Sequence, residues 1–195
     1  MGSVVLWDLM DTLVRDPFFT HIADFFSMSF DELVQSKHPT AWADFEVGLI
    51  SEQELFASFF RDRRAIDGPG LKRRMRDAYA WIDGMEPLLR ELSSRGVEMH
   101  LLSNYPPWYQ LCDERLGVSR WVRPSFVSCK TGVRKPSAEA YLGACRRLGR
   151  APEECLFIDD REVNCQAARE LGVSAIRFEG APDALRRQLA DRGLL

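Results

Sequence analysis

Apolar residues fall into two kinds of pattern along this chain. Short runs that are wholly or mostly apolar occupy residues 4–7, 97–102, 155–158 and 173–176. Each is too short for a helix, and such runs suit strands buried on both faces of a parallel sheet. Between the later runs, apolar positions recur at helical spacing over residues 87–95, 138–148 and 164–171, and each stretch stops at a glycine, Gly96, Gly149 or Gly172. A glycine there is a common helix stop, because it accepts the left-handed conformation that ends a helix. Strand and helix alternating in short periods predict an α/β fold with right-handed crossovers.

Residues 15–84 read differently. The segment is dense in aromatics, from Phe18 and Phe19 through Trp42 and Phe45 to Tyr79 and Trp81, and no stretch in it reads as a strand. Its spacing predicts short amphipathic helices over 30–37, 40–47, 51–61 and 71–82. Ser51 with Glu54 fits a capping box at the third of these. The expected organisation is a sheet-based core from residues 1–14 and 85–195, with a small all-helical insertion, 15–84, after the first strand.

Composition narrows the class. A chain of 195 residues, 46% hydrophobic and 28% charged, has the make-up of a soluble globular protein. A net charge of −3 gives no reason to expect nucleic acid or an anionic membrane as partner. No stretch approaches the ~20 apolar residues that span a bilayer, and the first residues lack the features of a signal peptide. The five cysteines, Cys112, Cys129, Cys145, Cys155 and Cys165, are odd in number and form no C-x-x-C pair. They read as free thiols of a reducing compartment rather than a disulfide framework or a zinc site. The sequence leaves the oligomeric state open.

Ligands of open parallel sheets bind beyond the carboxyl ends of the strands, so the residues after each run matter most. Asp8 follows the first, Ser103 and Asn104 the second, and Asp159 and Asp160 the third, while Lys135 precedes the helix that leads to that third run. Taken singly, an Asp or Ser there caps the next helix, and the lysine makes a salt bridge. Together, three carboxylates in one cleft repel one another unless compensated. A hard divalent cation such as Mg²⁺ supplies the compensation and often bridges to phosphate. A lysine and a hydroxyl suit the remaining oxygens of a phosphoryl group.

These segments resemble the haloacid dehalogenase (HAD) superfamily of phosphohydrolases. WDLMDTLV is similar to its first motif, LLSN to its second, RKP to its third and FIDDREVN to its fourth, in order and along nearly the whole chain. The resemblance implies a Rossmann-like HAD core with a helical cap inserted after the first strand. It implies a Mg²⁺-dependent phosphomonoester hydrolase in which Asp8 is the nucleophile and forms an aspartyl-phosphate. Asp8, the backbone carbonyl of Met10, Asp160 and, close by or in support, Asp159 would hold the metal. Ser103 and Lys135 would stabilise the transferring phosphoryl oxygens, Asn104 would add a donor, and Asn164 would support the metal loop.

Met10 departs from the family, most of whose phosphatases carry at that position the Asp that protonates the leaving alcohol. Asp11 stands where the family usually has Gly. Three readings stay open: a phosphatase in which Asp11, His38 or a metal-bound water moves the proton; a metal-free dehalogenase-like hydrolase, against which the intact acidic pair argues; and an inactive phosphate-ligand binding protein.

The runs MDTLVRDPFF, SKHPTAW, SNYPPWY and FIDDR further resemble plant and algal members of the superfamily that include a plastid flavin mononucleotide (FMN) hydrolase. That resemblance implies a small phosphate ester as substrate, FMN cleaved to riboflavin as the particular reaction, and the plastid stroma beside the cytoplasm as a compartment. Candidate substrate contacts are Arg15, His38, Trp42, Asn104, Trp108 and Tyr109, with the loop aromatics placed to stack on a planar ring.

Overall fold

The computed structural model describes residues 4–195, the side chain of Phe19 apart. Residues 1–3, which the sequence assigns to the core, lie outside the described residues, as does the Phe19 ring. Strand β1 (Val4–Trp7) leads through a tight turn into β2 (Val14–Arg15). A π-helical turn, Phe18–Ile22, runs into α1 (Ala23–Phe25), followed by α2 (Phe30–Ser36), α3 (Ala41–Glu46), α4 (Glu52–Ser58) and α5 (Gly68–Ala78). Strand β3 (Ala80–Trp81) then pairs antiparallel with β2, Val14 opposite Trp81 and Arg15 opposite Ala80. The remaining elements are α6 (Met85–Ser94), β4 (Met99–Ser103), α7 (Tyr109–Leu116), β5 (Arg123–Val127), α8 (Ser128–Thr131), α9 (Ala138–Leu148), β6 (Cys155–Asp159), α10 (Glu162–Glu170), β7 (Ser174–Arg177) and α11 (Pro182–Ala190).

Five strands form one parallel sheet in the order β5-β4-β1-β6-β7. The first strand is thus central, and its pleat explains its unbroken apolar run. Val5 and Trp7 face one core, which continues into the helical segment, while Val4 and Leu6 face a second core under α9 and α10. All four are fully buried, as a strand covered on both faces requires.

Two expectations for residues 15–84 need correction. The last helix ends at Ala78, not at 82, and residues 80–81 form a strand; a two-residue ribbon is set by its partner and carries no period to read. The helix expected over 51–61 stops at Ser58. The capping box at Ser51 and Glu54 is present, and a second joins Ser29 to Glu32 at the start of α2. Each such cap contributes about 0.5–2 kcal/mol to the helix it starts. Strand β5 was hidden because it sits at the sheet edge, only partly buried, and contains Pro124, a residue that edge strands tolerate and central strands do not.

Candidate active site

The site begins with the ladder of the central strand. The Asp8 N–H donates to the Ile158 carbonyl at 2.9 Å, which extends the β1–β6 pairing by one residue. Ser103 ends β4 and Asp159 ends β6, the two strands that flank β1. Adjacent strands lie about 4.8 Å apart, so three distant parts of the chain deliver Asp8, Ser103 and Asp159 to neighbouring points on one edge. Carboxylate oxygens of Asp8, Asp159 and Asp160 lie within 4.8 Å of one another.

Lys135 ties the cluster together. Its ammonium donates to Asp8 Oδ1 and to Asp159 Oδ2, each at 2.6 Å. The neighbouring backbone is pinned by Asn104, whose side-chain amide donates to the Lys135 carbonyl at 2.9 Å and accepts the Lys135 N–H at 2.8 Å. Asp159 is completely buried and fully engaged, since its carboxylate also accepts from the Asn164 amide and from the Arg161 N–H. Asp160 instead turns into a cavity, its own N–H bound to Thr12 Oγ1 at 3.1 Å. Of the expected metal set, Asp159 therefore orients the lysine, while Asp8 and Asp160 face open space.

The electrostatics favour a cation. Burial, opposed by the Lys135 ammonium and reinforced by Asp159 and Asp160, pushes the carboxyl of Asp8 up to about 7. Burial and the charges of Asp159 and Asp11 push Asp160 up to about 6. Burial alone lowers a lysine, but here Asp8 and Asp159 outweigh it and hold Lys135 above its ordinary value. One ammonium thus leaves the acids under-compensated. A hard divalent cation that takes carboxylate oxygens fits this donor set.

The cavity in front of these groups has a volume of about 600 Å³, within the range of small-ligand sites. Its acids are Asp8, Asp11, Asp16, Glu46 and Asp160; its cations are Lys37, Arg134, Lys135 and Arg161. Met10, Phe18, Phe30, Val34, Trp42 and Tyr105 supply apolar wall. Phe30 and Val34, one helical turn apart on α2, are each 40% exposed, a high value for apolar residues and one that fits a rim.

Of the residues marked from sequence, Asp8, Met10, Asp11, Trp42, Asn104, Lys135, Asp160 and Asn164 line the cavity. Ser103 and Asp159 are buried at their strand ends. Neither lines the cavity, and four more marked residues also lie off it. Trp108 is 1% exposed, packs against Trp42, Phe45 and Phe56, and donates its indole N–H to Glu52 at 2.6 Å. Tyr109 is buried under the Lys130 ammonium. His38 accepts the Thr40 and Ala41 N–H groups through Nδ1 and so caps α3. Arg15 is exposed, 3.6 Å from Asp83. Sequence reasoning missed Asp16, Phe18, Lys37, Glu46, Tyr105, Arg134 and Arg161. Tyr105 and Arg161 directly follow the marked Asn104 and Asp160 and were the easiest to find; Asp16 depends on the turn into β2, and Phe18, Lys37, Glu46 and Arg134 on how the segments around them dock.

Fold and site together define a class: an α/β protein whose carboxyl edge gathers acids and an ammonium beneath a helical insertion. The model of the haloacid dehalogenase-like hydrolase family matches residues 3–172. The chain is 44% identical over 191 residues to the chloroplastic flavin mononucleotide hydrolase 1 of Arabidopsis thaliana, covering 98% of this chain and 78% of that one. It is 27% identical over 218 residues to the ribulose-1,5-bisphosphate 5-phosphatase of Halopiger xanaduensis, covering 98% and 91%. Its fold is similar to that of a HAD family enzyme of Bacteroides thetaiotaomicron solved with magnesium and inorganic phosphate, with a TM-score of 0.74, 22% identity and coverage of 93% and 96%. The chain belongs to the haloacid dehalogenase-like hydrolase family.

Proposed function

We propose that the chain is a Mg²⁺-dependent phosphomonoester hydrolase and that its substrate is FMN, released as riboflavin and phosphate. The observation that carries the hydrolase reading is the Lys135 ammonium, set 2.6 Å from both Asp8 and Asp159 at the cavity floor. That contact favours the nucleophilic, ionised form of a buried carboxylate against the pull of burial. Asp8 attacks phosphorus, the phosphorus–ester oxygen bond breaks, and the alcohol leaves. Water then displaces Asp8 from the aspartyl-phosphate. Lys135 and the Ser103 hydroxyl offset charge on the phosphoryl oxygens. Asp8, Asp160 and the Met10 carbonyl would hold Mg²⁺, which would supply positive charge to offset that of the phosphate.

The FMN assignment is supported by the 44% identical FMN hydrolase and by Phe18, Trp42 and Tyr105 in the cavity lining, an aromatic composition that suits a planar ring. The chloroplastic location of that relative supports the plastid stroma as the compartment. Phosphate release from FMN with Mg²⁺ is expected to exceed release from sugar phosphates several-fold. Equal or faster release from sugar phosphates would remove the FMN assignment. Asp8→Asn is expected to abolish turnover while the fold persists by circular dichroism, and EDTA is expected to silence the wild type.

A further inference from the structure

A leaving alcohol needs a proton, and the thioether of Met10 has none to give. The cavity offers few groups that can supply one. The Glu46 carboxylate is taken by the Trp42 indole N–H at 2.7 Å and by the Arg134 guanidinium at 2.8 Å. The Tyr105 hydroxyl is buried against that of Tyr79, and burial drives its proton affinity far up. His38 lies off the cavity and spends Nδ1 on backbone amides. Asp11 is exposed, and its Oδ1 accepts the Asp16 N–H at 3.0 Å. Asp16 itself is half-buried and lines the same cavity as Asp8 and Asp160. One of its oxygens accepts the Phe18 N–H at 2.9 Å, and the other is engaged by no described residue.

We propose that Asp16 is the proton-transfer residue of this enzyme, replacing from the end of β2 the side chain that position 10 lacks. The assignment rests on the phosphatase reading above. As Asp8 bonds to phosphorus and the ester bond breaks, the Asp16 carboxyl gives its proton to the departing alkoxide, which leaves as the alcohol. In the second step the Asp16 carboxylate takes a proton from the water whose oxygen bonds to phosphorus. The bond to Asp8 breaks, phosphate leaves, and Asp16 is again protonated. Burial, opposed by the Phe18 N–H and reinforced by the charges of Asp11, Glu46 and Asp160, pushes this carboxyl up to about 7, where a group can both give and take a proton near neutrality.

Asp16→Asn keeps the shape and an acceptor for the Phe18 N–H, so it isolates the proton. The test compares FMN, whose alkoxide needs protonation, with p-nitrophenyl phosphate, whose phenolate does not. The variant is expected to lose about 10²–10³-fold in kcat/KM for FMN, to lose under about tenfold for the aryl ester, and to give a stoichiometric burst of nitrophenolate before slow turnover. In the wild type, the basic limb of the kcat/KM profile is expected near pH 7 for FMN and absent for the aryl ester; this readout needs no variant. Equal losses on both esters without a burst, or the selective loss in Asp11→Asn instead, would overturn the assignment. A wild type inert towards both esters with Mg²⁺ would overturn the phosphatase reading, and the role of Asp16 with it.

Discussion

Asp11 has a φ of 56°, in the left-handed region that most residues avoid. It occupies the sharp turn between β1 and β2, where its N–H reaches the Val14 carbonyl at 2.6 Å. Gly adopts this conformation freely, and Asp is one of the few other residues that tolerates it. Asp11→Asn should therefore unfold in urea close to the wild type, whereas Asp11→Val should lose about 1–2 kcal/mol to the strained backbone. Lys135 carries a larger penalty. Its removal leaves Asp8 and Asp159 buried without their cation, and Lys135→Met should cost about 3–5 kcal/mol in metal-free buffer at pH 8. Protonating the freed acids at pH 5 should recover part of that loss. These two residues also mark what sequence can convey: an acid after an apolar run is visible as an anomaly, but the left-handed turn and the doubled ion pair are not.

At the scale of elements, the aromatics divide by what they touch. Trp42 on α3 lines the cavity and meets Phe18 edge-on at 4.7 Å. Trp108, just before α7, instead fastens that helical layer to the sheet-side core through Glu52, which also pairs with Lys72 at 2.9 Å. Ser128 adds a second fastening, its hydroxyl donating to the Glu46 carbonyl at 2.5 Å. Trp42→Ala should raise KM for FMN roughly tenfold, since stacking on a planar ring is worth about 1–1.5 kcal/mol. Trp108→Phe should leave KM unchanged and lower stability by about 1.5–3 kcal/mol, the cost of a hydrogen bond to a charged group. Steady-state kinetics and urea titration together separate the two roles. Sequence spacing located the helices because apolar stripes and capping boxes are local. It misplaced Trp108 and Tyr109 because a proline-flanked aromatic does not state which way it points. It passed over Glu46 because only docking of α3 brings that residue to the acids, and Asp16 because only the turn between β1 and β2 does so for it.

At the scale of the whole molecule, charge and stability are linked. Asp8 and Asp16 sit near 7 and Asp160 near 6 when folded, all above the ordinary aspartate value of 3.8. A raised carboxyl in the folded state makes no demand below its unfolded value and a full one above its folded value. Without metal, stability should therefore fall as pH rises from about 4 to 7 through these groups. Mg²⁺, which binds only the folded, ionised site, should raise the thermal midpoint at pH 8 and do so much less at pH 5. A midpoint indifferent to Mg²⁺ at pH 8 would count against the metal set. Acids placed directly after apolar runs made the cluster foreseeable, whereas the central position of β1, which carries Asp8 between Ser103 and Asp159, is read only from the strand order.

The β2–β3 ribbon has a consequence for how such a chain can change. Val14 and Arg15 lie directly opposite Trp81 and Ala80, so the polypeptide leaves the sheet and re-enters it through one narrow gateway. Antiparallel partners are held about 5 Å apart whatever lies between them. The stretch beyond the gateway can lengthen, shorten or be exchanged without moving the strand ends that carry Asp8 and Asp159. Transplanting it between relatives, joined at these paired residues and with Asp16 retained, should transfer substrate preference while the reactive carboxylate stays where it is.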